Sequence, residues 1–188
     1  MVSKIILACW VIFWVYWFAS AVGTKKDITR MRQRLEREVP IRFGLLIVIV
    51  IFVKLSATNA YSFHNTHLTN PYVVGGGFVA FILGLLFAIW ARRNLGENWG
   101  MPMTVKQSPE LVTSGPYRFV RHPIYSGILL AMLGTAFATT LIGLFILAIV
   151  GTYFIYSALV EEKIMLAAFP KTYPAYKQKT KMIIPFIL

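Results

Sequence analysis

The residues able to do chemistry crowd into one block of this chain. Residues 115–127 read GPYRFVRHPIYSG, which sets Arg118, Arg121 and His122 directly ahead of a long uncharged run. No residue between His122 and Glu161 carries a charge, and the run closes on the adjacent pair Glu161 and Glu162. Guanidinium groups grip anions, and imidazole and carboxylate move protons. A carboxylate also holds a cation. Beside lipid such groups are costly, and their presence there marks function.

The elements that must position these groups follow from the same stretch. Pro123 biases His122 away from helical backbone and suits the first position of a helix. The start of that helix offers unpaired N–H groups and a positive dipole end, and Arg118 and Arg121 add permanent charge. The junction therefore suits an anion such as a carboxylate or phosphate; membrane anchoring by the same cations is the equal alternative. Residues 123–160 are long enough for two spans of about 19 residues each. Thr139, Thr140 and Gly143 mark the turn between them. The hairpin then returns Glu161 and Glu162 to the level of Arg118, Arg121 and His122.

A helix stopping at Val160 would set two acids at its negative end, so it is expected to run on to Phe169, before Pro170. Adjacent helical residues point about 100° apart. One glutamate is thus expected to face a shared pocket while the other pairs with a loop cation. Tyr117, Tyr125, Tyr173 and Tyr176 surround the pocket in sequence. They offer faces for a base or a cation, and tyrosine is also an ordinary interfacial anchor.

The wider chain is 57% hydrophobic over 188 residues, which places it among integral membrane proteins with a single domain spanning 1–188. Further spans are expected over 5–22, 41–57 and 73–91, with Pro40 as an opening residue for the second. The fold class is all-α: a bundle of five transmembrane helices with short cytoplasmic rim helices, four spans plus a re-entrant hairpin being the alternative count. Residues 1–72 hold two spans and a basic loop, and 73–188 form the core that carries the motif. Seventeen of the nineteen basic residues, and all seven acids, lie in 24–42, 92–122 and 161–188, while 58–72 has no charge. Five spans put the three charged segments on one side, which the positive-inside rule makes cytoplasmic. The N-terminus is then outside and the C-terminus inside, and Lys54 snorkels to the outer interface.

The net charge of +12 sits beside apolar spans and so points to anionic lipid rather than nucleic acid. Cys9 alone makes no internal disulfide and reads as a small buried hydrophobe. The first apolar run follows a single lysine, Lys4, without a small-residue cleavage site, and is expected to be a retained helix. Residues 24–38 read as a short charged surface helix. His64 and His67 lack an acidic or thiol partner, so no metal is expected. Gly77, Ala80, Gly84 and Ala88, and again Gly127, Ala131, Gly134 and Ala138, form small-residue stripes that suit close helix packing. Gly127, nearest the motif, also has a sharper reading as room for a bound cofactor.

The stretches WARRNLGENW (90–99), ELVTSGPYRFVRHPIYSG (110–127) and VEEKIMLAAFPKTYPAYKQKTKMIIP (160–185) resemble the isoprenylcysteine carboxyl methyltransferase family, whose wider group includes phospholipid N-methyltransferases. The resemblance covers about residues 90–185. It implies a small helical membrane enzyme using S-adenosylmethionine in a pocket at the cytoplasmic rim, covered by the C-terminal segment. Carried over by motif, Leu111 and Val112 would sit by the adenine. Tyr117, His122, Pro123, Tyr125 and Gly127 would line the cofactor, and Glu162 or Glu161 would hold its amino or ribose groups. No glycine-rich dinucleotide fingerprint is present.

The expected activity is methyl transfer to a small amphipathic or lipid-linked acceptor, best matched by a prenylcysteine-like carboxylate. A carboxylate needs no base; Arg118 or Arg121 would hold it, with Arg92 or Arg93 behind. An amine or thiol would lose its proton to Glu161 or His122. The lipid bilayer is the expected surrounding, with the site facing the cytoplasm of a bacterial inner membrane. The alternatives are an NADPH-dependent sterol-type reductase and a non-catalytic lipid-headgroup-binding protein.

Overall fold

The computed structural model describes residues 2–26, 39–41, 43–48 and 68–184. Its long elements are α1 (Val2–Ala19), α2 (Pro71–Leu95), α3 (Pro123–Ala138) and α4 (Gly143–Ala168), with the short rim helix α5 (Tyr173–Lys179). A further helical stretch, Val39–Val48, falls between α1 and α2 in sequence. The remainder of the expected second span, the charged helix expected over 24–38 beyond residue 26, His64 and His67 all lie outside the described residues.

Among the described residues three helices are long and apolar enough to cross a membrane: Val2–Ala19, Pro71–Asn98 and Gly143–Ala168. The expected fourth span is α3, a 16-residue helix. At 1.5 Å per residue it is about 24 Å long, less than a typical hydrocarbon core. Its length is set by Pro123 at one end and the turn at 139–142 at the other.

Local chemistry fixes the helix ends. Asn70 caps α2, its side-chain oxygen accepting from the Tyr72 amide at 3.0 Å and the Val73 amide at 3.4 Å. Pro71 follows as the first helical residue, where no N–H is required. Gly96, at φ 55°, turns the chain out of α2. His122 is non-helical, at φ −123° and ψ 60°, ahead of Pro123. The last long helix runs past the glutamate pair to Ala168, as its acids required.

α2 and α3 meet along their small residues. A Cβ on Gly77 would lie 2.7 Å from the Ala138 nitrogen, and one on Gly127 would lie 2.6 Å from the Ala88 nitrogen. Backbones that close exclude any side chain, so the stripes are a packing seam. α1 is held against this pair: Trp10 Nε1 donates to Thr135 Oγ1 at 3.1 Å, and an Arg92 guanidinium nitrogen donates to the Ser20 carbonyl.

Candidate functional site

The hairpin of α3 and α4 brings the basic block and the glutamate pair together. Glu162 is 3% exposed. Arg121 Nε reaches its Oε1 at 2.6 Å and Lys177 Nζ its Oε2 at 2.6 Å. The Arg121 guanidinium also donates to the Lys177 carbonyl at 3.2 Å and to the Thr180 carbonyl. Glu161 turns the other way. Its Oε1 accepts from the Tyr125 hydroxyl at 2.5 Å and the Met103 amide at 3.0 Å, and its Oε2 lies 3.2 Å from His122 Nδ1. His122 Nε2 is buried without a hydrogen-bond partner, 4.0 Å from Glu162. The Tyr125 ring stacks between His122 (centroids 5.5 Å apart) and Phe154 (4.4 Å).

The chain after α5 closes this junction from outside. Residues 181–183 run beside 120–122, with the Arg121 amide donating to Lys181 O at 2.8 Å and the His122 amide to Met182 O at 3.0 Å. Ser126 Oγ donates to Ile183 O, and the Tyr176 hydroxyl donates to Tyr117 O at 2.6 Å. The sequence suits this junction equally to an external anion at the start of α3 and to membrane anchoring by its cations. Instead the amides of residues 121 and 122 are taken by the C-terminal segment, and the anion facing Arg121 is Glu162 itself.

A cavity of about 400 Å³ opens beside Glu161. Leu111, Val112, Tyr117, Arg121, His122, Tyr125 and Glu161, all singled out from sequence, line it. Four expected site residues fall elsewhere. Glu162 is behind the wall in its ion cluster, and Pro123 is buried at the start of α3. Gly127 is in the α2–α3 seam, where the Ala88 backbone fills the space a side chain would need. Arg118 is exposed, its guanidinium 4.5 Å from the Phe119 ring centre. Arg92 is buried over Trp99 and tied to the Gly96 carbonyl, while Arg93 is exposed. Neither lines the cavity.

Sequence reasoning missed the apolar wall: Trp14 and Trp17 of α1, Trp99, and Phe154 and Met165 of α4. Trp14 and Trp17 are one helical turn apart, a spacing that puts both on one face. That signal was legible but gave no hint of what the face met.

Burial sets the state of the loop and rim tyrosines. It pushes the Tyr117 phenol up, helped by the Glu161 charge, and the Tyr173 phenol up, helped by Glu162. Tyr176 is pushed up to about 12 by burial. All three stay neutral donors at physiological pH. The site thus presents a carboxylate, a buried imidazole, neutral hydroxyls and aromatic faces. Such a wall suits a cationic or zwitterionic small molecule.

The comparisons agree with this architecture. The family model described as phospholipid methyltransferase matches residues 72–172. The cobalt-zinc-cadmium resistance protein CzcN of Cupriavidus metallidurans is 25% identical over 146 residues, 77% of this chain and 63% of that protein. Methanethiol S-methyltransferase 1 of Bradyrhizobium diazoefficiens is 35% identical over 79 residues, 42% of this chain and 27% of that protein. The solved structure of a eukaryotic intramembrane Ras methyltransferase, isoprenylcysteine carboxyl methyltransferase, is 25% identical, with a TM-score of 0.53 over 85% of this chain and 55% of that one. The chain therefore spans less than two thirds of each of these proteins. With more than half of its length matched, including the RHP block and the glutamate pair, the chain belongs to the phospholipid methyltransferase family.

Proposed function

We propose that this protein is a membrane methyltransferase that uses S-adenosylmethionine at the cavity beside Glu161. The observation that carries this reading is the division of labour between the two glutamates. Glu162 is spent on Arg121 and Lys177, whereas Glu161 presents a carboxylate to a cavity lined by aromatic rings. A cofactor bearing an ammonium and a sulfonium fits such a wall, and the volume lies in the usual range for small-molecule sites. The Glu161 carboxylate would attract its positive charge, and Leu111, Val112 and Tyr117 would pack its flat apolar part. The cofactor supplies an already activated methyl group. The protein's task is then to position the acceptor in line with it and keep water away.

The acceptor is a small amphipathic or lipid-linked molecule whose apolar part lies against the Trp14 and Trp17 wall. The sequence reading favoured a prenylcysteine-like carboxylate held by Arg118 or Arg121. Arg121 is now committed to Glu162 and two carbonyls, and Arg118 is on the outside. Those placements support instead an acceptor that carries a proton, such as a thiol or amine, with Glu161 as the base. The names of the methanethiol S-methyltransferase relatives fit that choice. We place the site at the cytoplasmic rim of a bacterial inner membrane, in a single unit of five spans with the N-terminus outside.

Calorimetry in detergent tests the cofactor. S-adenosylhomocysteine is expected to give saturable heat and NADPH none. Binding of NADPH alone would favour a reductase, and binding of neither a headgroup-binding protein. A labelled-methyl screen over thiols, amines, phospholipids and prenylcysteines identifies the acceptor.

A further inference from the structure

Residues 24–26 lie outside the family-matched segment, yet they are stitched to the loop that roofs the cavity. The ammonium of Lys25 donates to Asn98 Oδ1 at 2.9 Å, Ser108 O at 3.1 Å and Glu110 Oε1 at 2.7 Å. An ammonium has three donors, so all are used. The backbone reinforces the join: the Lys25 amide donates to Glu97 O at 2.8 Å and the Gln107 amide to Lys26 O at 2.9 Å. Lys106 Nζ donates to Lys25 O at 2.8 Å. Glu110 is gathered in as well, its amide donating to Asn98 Oδ1 at 3.2 Å. Lys25 also holds the Glu110 carboxyl below its usual range.

The loop so fastened carries much of the cavity wall. Its Met103 amide donates to Glu161, and Leu111 and Val112 line the cavity directly after Glu110. Two of its residues adopt left-handed backbone without being glycine, Met103 at φ 64° and Ser108 at φ 49°. Side chains disfavour that conformation, and it persists only where the surroundings over-determine it. Here each strained residue has one anchor on a charged side chain. Ser108 offers its carbonyl to Lys25, and Met103 offers its amide to Glu161.

We propose that Lys25 is a positioning residue for the cofactor site. It holds loop 97–112 in the strained form that points the Met103 amide at Glu161 and presses Leu111 and Val112 onto the cavity. This proposal rests on the S-adenosylmethionine reading. It adds that the segment after α1, absent from the family match, sets cofactor affinity from a distance.

The test is Lys25→Met in the whole 188-residue chain in detergent, with Lys25→Arg beside it. S-adenosylhomocysteine affinity is expected to fall about five- to tenfold in Lys25→Met and to recover partly in Lys25→Arg, since charge-assisted bonds at a partly exposed site are modest. Hydrogen exchange at the Met103 and Gln107 amides is expected to accelerate, while exchange along α2 and α3 is unchanged. A Glu110→Gln variant is expected to add little to Lys25→Met, because both act on one network. Unchanged affinity in Lys25→Met, or acceleration spread evenly over the helices, overturns the proposal. If the wild type gives no heat with S-adenosylhomocysteine, the cofactor reading fails, and exchange at Met103 and Gln107 alone decides whether Lys25 positions the loop.

Discussion

Replacing each glutamate of the adjacent pair by glutamine separates architecture from chemistry. Glu162→Gln keeps the shape and removes the charge between Arg121 and Lys177. The Lys177 side chain is 45% exposed, so its ammonium relaxes into solvent at little cost. The Arg121 side chain is 8% exposed and cannot. Removing one partner of a buried pair costs about 3–5 kcal/mol in general. Arg121 keeps its bonds to the Lys177 and Thr180 carbonyls, and glutamine keeps one acceptor oxygen, which argues for a smaller loss of about 2–3 kcal/mol. At roughly 2–4 °C per kcal/mol for a chain of this size, the unfolding midpoint is expected to fall by about 4–12 °C. Glu161→Gln is expected to lower that midpoint less than Glu162→Gln does, because its amide oxygen still accepts from Tyr125 and Met103 and only the contact with His122 is altered. It is expected instead to abolish most turnover. The assay is ligand-free thermal unfolding in detergent, paired with labelled-methyl turnover. Equal midpoints for Glu162→Gln and wild type, or a larger loss in Glu161→Gln, would refute the division of roles.

Two further perturbations probe the frame around the site. Gly127→Val puts a branched side chain where the Ala88 nitrogen would lie 2.6 Å from its Cβ, so α2 and α3 must separate. A destabilisation of about 1–3 kcal/mol or more is expected, read as a lowered unfolding midpoint and a broadened size-exclusion peak. Tyr176 tests the closure by the C-terminal segment through pH. Its folded-state ionisation is raised to about 12 from an ordinary 10.0, so its contribution is complete below pH 10 and is lost as pH climbs towards 12. The wild-type midpoint is therefore expected to fall more steeply over that window than that of Tyr176→Phe. Parallel curves would show that the part-buried Tyr176–Tyr117 contact does not hold the C-terminal segment in place.

What the sequence disclosed and what it withheld divide along a physical line. Pro123, the turn at 139–142 and the uncharged run are local signals. They sufficed to fold the α3–α4 hairpin and bring Glu161 and Glu162 to Arg121 and His122. The small stripes sufficed for the α2–α3 seam because only glycine and alanine permit that approach. Contacts between distant segments gave no local signal. Lys25 and Glu110 read as two unrelated surface charges, and nothing near residue 181 announces that its carbonyl takes the Arg121 amide.

A 100° step between neighbours makes the two glutamates diverge but does not decide which one faces the cavity. That choice is made by the packed stripe of α4, where Phe154, Ala158 and Glu162 are buried at intervals of four residues. Ser157 and Ala158, both fully buried, are the small residues of this face. Once that stripe is buried, Glu162 must go with it, and a buried carboxylate demands the cations that Arg121 and Lys177 supply. Glu161 is then left one step around the helix, pointing at the cavity. The orientation of the glutamate at 161 is therefore set in part by Ala158, one turn away, which does not line the cavity. Any substitution at Ala158 large enough to rotate α4 is expected to damage the site without altering a single group that lines it.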